Sequence, residues 1–339
     1  MDGVTHFVTS AGRQIYSFPV QAFPGLVANI YLISDGRYHI LVDCGSGMER
    51  SNQDLLAGFA ALNESFGEDI SLARLDAIII THGHIDHFGG LPFLRQVSDA
   101  PIAVHALDRR VLSNYEERLV VASYHLEGFL KRSGVPAHHL GDLMAMYLFA
   151  KGVYRSVPVQ WLLEEGRPAL DFPGLTEMQI YHVPGHCPGQ VCLQVDDILL
   201  TADHVLSRTT PHQAPESITN NMGLGHYLES LDKIEALEGI NLSLGGHEEP
   251  MPDLRSRIEF IRQAHDERLE RVLEICNQPL STAAISQALF GRVSSYHVLL
   301  ALEETGAHVE YLYQRGELLA VNLDEIENNP DPIFLYQRA

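Results

Sequence analysis

Three histidines and one aspartate fall within positions 82–87 of the stretch IIITHGHIDHFGG: His82, His84, Asp86 and His87. Neutral imidazole and ionised carboxylate are good zinc donors, so the cluster is a candidate metal site. Three further segments repeat the pattern of an apolar run followed by such a residue: His186 in YHVPGHCPGQ, Asp203 in ILLTADH and His247 in LSLGGHEE. Four strand-end loops of this kind can converge on one edge of a layered fold, where rigid strands hold them in place. In that arrangement His82, His84 and His186 hold one ion, Asp86, His87 and His247 hold a second, and Asp203 bridges the two. Three protein ligands with an open position mark a catalytic rather than a structural zinc site. Two ions about 3.5–4 Å apart lower the pKa of a shared water and give hydroxide near neutral pH. Asp43, in LVDCGSG, is a candidate to orient the histidine loop from behind, because ligand histidines usually donate their other N–H to a carboxylate.

The elements that must carry these loops can be read from periodicity. Short runs rich in Ile, Val and Tyr predict strands at 13–20, 29–34, 38–45, 75–80 and 102–106. Helices are expected near 51–66 and 90–98. From 109 to 157 the period turns helical, with Leu112, Leu119, Leu126, Leu130, Leu140, Met144 and Tyr147, as in a lid or a dimer contact. Gly134 and Pro136 are its candidate hinge points. Strands resume at 177–183, 190–195 and 198–203, then a helix near 226–237 leads to INLSLGGH at 240–247. Each half of this series ends in a histidine-bearing loop, which suggests two packed sheets with helices outside. From Met251 a long amphipathic helix, a capped helix at 281–291 and a segment ending in a hairpin through Arg315-Gly316 form a small appendage of winged-helix proportions. The expected domains are therefore 1–250 and 251–339.

Composition narrows the function. At 339 residues with 45% hydrophobic and 20% charged side chains, a globular protein with ample core is expected. No run of 18 apolar residues occurs and the start, MDGVTHFVTSAGRQ, carries no basic-then-apolar leader, so the expectation is a cytoplasmic protein without a membrane span. A net charge of −21 repels polyanions and argues against a general nucleic-acid binder. The appendage agrees: SSYHVLLALEET has no Arg or Lys and two Glu, unlike a DNA-recognition helix. Four cysteines without a C-x-x-C pair read as reduced thiols.

The order His82-x-His84-x-Asp86-His87, His186, Asp203, His247 resembles the metallo-β-lactamase superfamily over residues 13–250, and within it the glyoxalase II-like hydrolases. The resemblance implies an α+β fold, an αββα sandwich, with a dinuclear metal site and hydrolysis by metal-bound hydroxide. The appendage is similar to the helical C-terminal domain of lactamase-β-like two hydrolases, some of which cleave RNA. Where the glyoxalase II-like pattern often reads PGHTPGH, this chain has PGHCPGQ; Cys187 and Gln190 differ and the ligand is kept. From 253 onward there are 8 Arg against 14 Asp plus Glu and no Lys, which argues against glutathione thioesters. Asp203, where a Cys would serve the second metal, argues against a true β-lactamase.

The expected function is hydrolysis of a small acyl substrate (an ester, a thioester or a lactone) by a hydroxide bridging two zinc ions, with manganese or iron as substitutes. Asp86, or a water near it, shuttles the proton. The Leu-, Met- and Tyr-rich insertion favours a hydrophobic acyl group. Arg208, His212 and Tyr227 are candidates to touch substrate, with a surface loop or helix packing as the plainer explanation; His204 reads as lying behind the ligands or exposed. His105, His125, His138, His139, His226, His265 and His297 have no partner pattern. The alternatives are a phosphodiesterase or RNA nuclease on the same metals, or an iron-dependent sulfur dioxygenase. The expected partner is a small molecule, with no DNA and no membrane, and self-association into a homodimer is a further expectation.

Overall fold

Ile78, Ile79 and Ile80 are all fully buried, which explains why three stand in a row. A strand covered on both faces has no solvent side to mark with polar residues. Ile79 points into the core between two sheets, packed among Val42, Ala103, Leu193 and Leu200, while its neighbours point the other way. The computed structural model describes residues 3–152, 154–167 and 178–339. Residue 153 of the expected insertion and residue 177 of the expected strand lie outside the described residues.

Among the described residues the first sheet has seven strands, paired in chain order: β1 (Thr5–Val8), β2 (Gln14–Phe23), β3 (Leu26–Ser34), β4 (His39–Val42), β5 (Ala77–Ile79), β6 (Ile102–His105) and β7 (Trp161–Leu163). It is antiparallel through β4 and parallel from β4 to β7. The second sheet has the order β11-β10-β9-β8, from β8 (Gln179–His182), β9 (Val191–Val195), β10 (Ile198–Ala202) and β11 (Leu242–Gly245). Helix α1 (Glu49–Phe66) covers the outer face of the first sheet, with Phe59 edge-on to Phe18 at 5.4 Å. It stops at Gly67, whose φ of 68° suits the left-handed turn that ends a helix. The sheets, with helices outside them, make the αββα sandwich.

Of the expected helix at 90–98 a single turn forms, α3 (Leu91–Leu94), and it does not run on from the turn before it, α2 (Ile85–Phe88). The reason lies between them. A Cβ on Gly89 would collide with the Ser46 carbonyl, and one on Gly90 with that of Cys44. This stretch is pressed backbone to backbone against the loop that follows β4, with Gly90 N donating to Gly45 O at 2.9 Å. Helices α4 (Arg109–Ser113), α5 (Tyr115–Arg132) and α6 (Ala137–Lys151) follow β6, and α7 (Leu224–Glu235) follows β10.

Two compact units emerge. The first comprises Met1–Tyr115, Tyr154–Pro211 and Ser230–Ile258, and contains both sheets. The second comprises Glu116–Val153, His212–Glu229 and Glu259–Ala339. It holds most of α5 and α6 together with the greater part of α8 (Leu254–Ile275), then α9 (Thr282–Phe290), α10 (Tyr296–Gln314) and α11 (Leu323–Asn328). A three-stranded sheet, β12 (Leu280–Ser281), β13 (Leu318–Ala320) and β14 (Leu335–Arg338), completes it in the order β12-β14-β13. Its core joins Leu126, Phe129, Leu130, Leu143 and Tyr147 to Leu299 and Leu302. Helices of the 109–157 insertion and of the C-terminal segment thus share one core, although the sequence separates them. Arg315-Gly316 ends α10 rather than turning a hairpin; the strands of that hairpin, β13 and β14, are joined through α11. All four cysteines are buried thiols. No helix among the described residues is long and apolar enough to cross a membrane.

Candidate metal centre

Every candidate ligand lies just beyond the C-terminal end of a strand in the first unit: His82, His84, Asp86 and His87 after β5, His186 after β8, Asp203 after β10 and His247 after β11. Backbone ties fix the loops to one another. Val191 N donates to Thr81 O (3.0 Å), Gly246 N to Ala202 O (2.8 Å) and Cys44 N to His87 O (2.8 Å). Three non-glycine residues with positive φ stand at these ends: Asp43 (62°), Ala202 (47°) and Glu248 (65°). Such conformations cost energy and persist where the surroundings over-determine them, as at sites.

The side chains meet in groups. His82, His84 and His186 form one triad and Asp86, His87 and His247 another, and Asp203 joins His82 and His87. Asp203 Oδ2 stands 4.0 Å from His82 Nε2, 3.8 Å from His186 Nε2 and 3.3 Å from His247 Nε2, and its Oδ1 is 3.5 Å from His87 Nε2. Asp86 Oδ2 lies 3.4 Å from His247 Nε2 and 3.9 Å from His87 Nε2. His82 Nε2 and His84 Nδ1 are 3.1 Å apart. Most of these distances are long for hydrogen bonds. They match donors sharing an ion, since two ligands at about 2.0–2.1 Å from a tetrahedral zinc stand roughly 3.3–3.4 Å apart.

Tautomers follow from what lies behind the rings. His247 Nδ1 faces the Val27 carbonyl at 2.6 Å, so it carries the proton and Nε2 points its lone pair inward. His87 Nδ1 donates to Asp43 Oδ2 at 2.8 Å in the same way. Asp43 also accepts from Thr81 N and Thr81 Oγ1, each at 2.8 Å, and Thr81 Oγ1 contacts His82 Nδ1 at 3.1 Å. Asp43 therefore backs both triads. Metal-ligating imidazoles are held by this kind of carboxylate contact.

The donor set fits a cation on three observations. His87 Nε2 and Asp203 Oδ1 are buried without a hydrogen-bond partner, an expensive condition for polar atoms unless something positive lies between them. A Cβ on Gly246 would strike Asp203 Oδ1 and come within 2.8 Å of His87 Cε1, so the glycine keeps the cradle open. The electrostatics are unbalanced as well. Burial disfavours charge on His87 and His247, yet the carboxylates around them outweigh it and push His247 up to about 10 and His87 well above its ordinary value. His82 goes the other way, lowered by burial and by the imidazoles of His87 and His84. Positive charge is called for, and divalent ions would supply it.

Two further residues emerge that the sequence did not single out for the site. Gln190 is buried, and with its amide oxygen turned toward them it accepts from Asp203 N (3.2 Å) and His204 N. Asp108 is buried and accepts from Gly83 N (2.8 Å), Gly189 N (3.0 Å) and Cys187 Sγ (3.5 Å). Gln190 stands immediately before β9, as the last residue of PGHCPGQ, and Asp108 lies just past β6 in IAVHALD. His204 is fully buried, and burial lowers it to about 3.

The candidate substrate residues are placed differently. Arg208 is exposed and its guanidinium pairs with Glu249 at 3.1 Å, beside the His247 loop. His212 and Tyr227 belong to the second unit. There His212 contacts Glu303 (3.1 Å) and Glu304 (3.3 Å), and Tyr227 is buried with its ring edge-on to His265 at 5.5 Å. A second buried cluster, His265, Glu304 and His308, also has ligand-like spacing, but Glu304 already pairs with Arg268 at 2.6 Å.

Comparisons with known proteins agree with this geometry. The model of the metallo-beta-lactamase superfamily matches residues 23–247. The probable metallo-hydrolase YqjP of Bacillus subtilis (strain 168) is 22% identical over 290 residues, covering 84% of this chain and 86% of that protein. The atrochrysone carboxyl ACP thioesterase of Aspergillus fumigatus is 23% identical over 280 residues, covering 78% and 69%. In fold, the chain is similar to the crystal structure of the metallo-beta-lactamase family protein TTHA1429 from Thermus thermophilus, with a TM-score of 0.76 at 24% identity over 96% of this chain and 98% of that one. The chain belongs to the metallo-β-lactamase superfamily and is one of its metal-dependent hydrolases.

Proposed function

We propose that this chain hydrolyses a small acyl substrate, an ester, a thioester or a lactone, at a centre for two divalent ions. The observation that carries the reading is Asp203 standing between two triads whose inward nitrogens and oxygens have ligand spacing. His82, His84 and His186 would hold one ion, and Asp86, His87 and His247 the other. Bound there, a metal pair supplies Lewis acidity to a carbonyl oxygen and makes a water acidic enough to attack near neutral pH. The chain's own residues do the rest. Asp86 is the more exposed of the two inward carboxylates, 14% against 9% for Asp203, and its carboxylate oxygen that is not turned to His87 and His247 takes the proton as water adds to the acyl carbon. As the acyl C–O or C–S bond breaks, Asp86 returns that proton to the leaving alkoxide or thiolate. Val27, Asp43 and Thr81 hold the imidazoles through these steps.

Acyl chemistry is supported over phosphoryl chemistry by two points. A relative of this chain is named an atrochrysone carboxyl ACP thioesterase. A net charge of −21 also disfavours a polyanionic substrate. The test is a paired rate measurement on metal-loaded protein with an aryl ester, an aryl thioester and an aryl phosphodiester. Turnover of the acyl substrates, lost in Asp86→Ala, is expected; turnover of the phosphodiester alone would overturn the reading.

A further inference from the structure

We propose that Asp108 is a positioning residue for the first triad: its carboxylate sets the distance between the loop bearing His82 and His84 and the loop bearing His186. The inference rests on the metal-centre reading above. Asp108 occupies the position before α4 where an aspartate ordinarily caps its own helix, a contact worth about 1 kcal/mol. It makes no such bond. Its two oxygens are used elsewhere, one on Gly83 N at 2.8 Å and the other on Gly189 N at 3.0 Å. Gly83 lies between His82 and His84, and Gly189 lies three residues after His186, so one buried anion fastens both ligand loops by charge-assisted bonds.

The glycines are part of the device. A Cβ on Gly189 would come within 2.6 Å of Asp108 Cγ and 2.8 Å of its backbone nitrogen; one on Gly83 would sit 3.3 Å from Asp108 Cγ. No positive φ requires glycine at either position, so close approach to Asp108 is the reason for it at 189. Cys187 Sγ, next to His186, donates to the same carboxylate at 3.5 Å. The second triad is supported independently, His87 by Asp43 and His247 by the Val27 carbonyl. Asp108 therefore acts on one ion and not on the other.

In Asp108→Asn an amide N–H₂ faces one of the two backbone N–H groups, donor against donor, and that loop is released. Gly189→Ala forces the same contact apart from the opposite side and leaves the carboxylate in place. The experiment is zinc titration of the metal-stripped full chain against a chromophoric chelator, for wild type and both variants, with the melting temperature of each stripped protein and the visible spectrum of each cobalt-loaded protein. Wild type is expected to take two ions. Each variant should keep one at wild-type affinity and bind the other about ten- to a hundredfold more weakly. One component of the cobalt spectrum should change, and at least one variant should melt, when stripped, within a few degrees of wild type. Two ions bound at wild-type affinity by both variants would overturn the proposal. So would an equal loss at both sites with a large fall in the stripped protein's melting temperature, because that marks a purely structural role. A wild-type chain that takes no zinc would instead overturn the metal-centre reading, and the inference with it.

Discussion

His87 is gripped from both sides: Asp43 holds its Nδ1 proton, while Asp203 and Asp86 stand before its Nε2. Asp43→Asn should test how much the grip matters. Asparagine tolerates the left-handed backbone at φ 62°, so the substitution removes the charge without straining the turn. Zinc affinity is expected to fall about ten- to a hundredfold by chelator competition, with the ion between Asp86, His87 and His247 affected most. His212, in the second unit, should carry a pH signal of its own. Burial works against charge on His212, but hydrogen bonds and charge from Glu303 and Glu304 prevail and raise it to about 9. A raised histidine contributes stability that is complete below its unfolded pKa of about 6.5 and drains away as pH climbs through the folded value. The melting temperature of the stripped protein should therefore fall between about pH 6.5 and 9, and His212→Gln should flatten that slope. The grouping of the seven candidate ligands was legible because imidazole and carboxylate rarely cluster at strand ends without a task. Asp108 was not, because an acid before two arginines reads as a helix cap, and only the folded chain reveals Gly83 and Gly189 on its oxygens.

At the scale of elements, α1 shows how tightly the sandwich is closed. Gly58 lies mid-helix, where alanine would ordinarily be favoured by about 1 kcal/mol. A Cβ there would come within 2.6 Å of the Phe18 ring, which is buried and has no room to retreat. Gly58→Ala should therefore destabilise, by roughly 1–2 kcal/mol after the propensity gain is set against overpacking, read from the denaturant midpoint. A rise in stability would mean that helix and sheet are less closely packed than this contact requires. Strands with long apolar or alternating runs were readable within a few residues, as with β2, β3 and β10. The three-residue β7 and two-residue β12 were not, since so short a segment carries no period and its pairing depends on distant partners. The expected helix at 90–98 is reduced to one turn, and backbone contacts at Gly89 and Gly90 separate it from the turn before.

At the scale of the whole molecule, all seven residues of the candidate metal centre belong to the first unit. Ions that bind the folded state alone add about 2.7 kcal/mol at a hundredfold excess over Kd. Chelation should therefore lower the calorimetric melting temperature of the metal-loaded chain. The sequence placed a break near 250 and an insertion at 109–157. It could not show that residues from both sides of that break share one core, because Phe129 and Leu302 are far apart in the chain and meet only on folding. Asp203 standing between the two triads calls for two ions in one pocket. Anomalous scattering at the zinc edge, from crystals grown with two equivalents of zinc, tests it most directly. Two peaks about 3.5–4 Å apart are expected, one within His82, His84 and His186 and one within Asp86, His87 and His247. A single peak, or one at His265, Glu304 and His308, would contradict it.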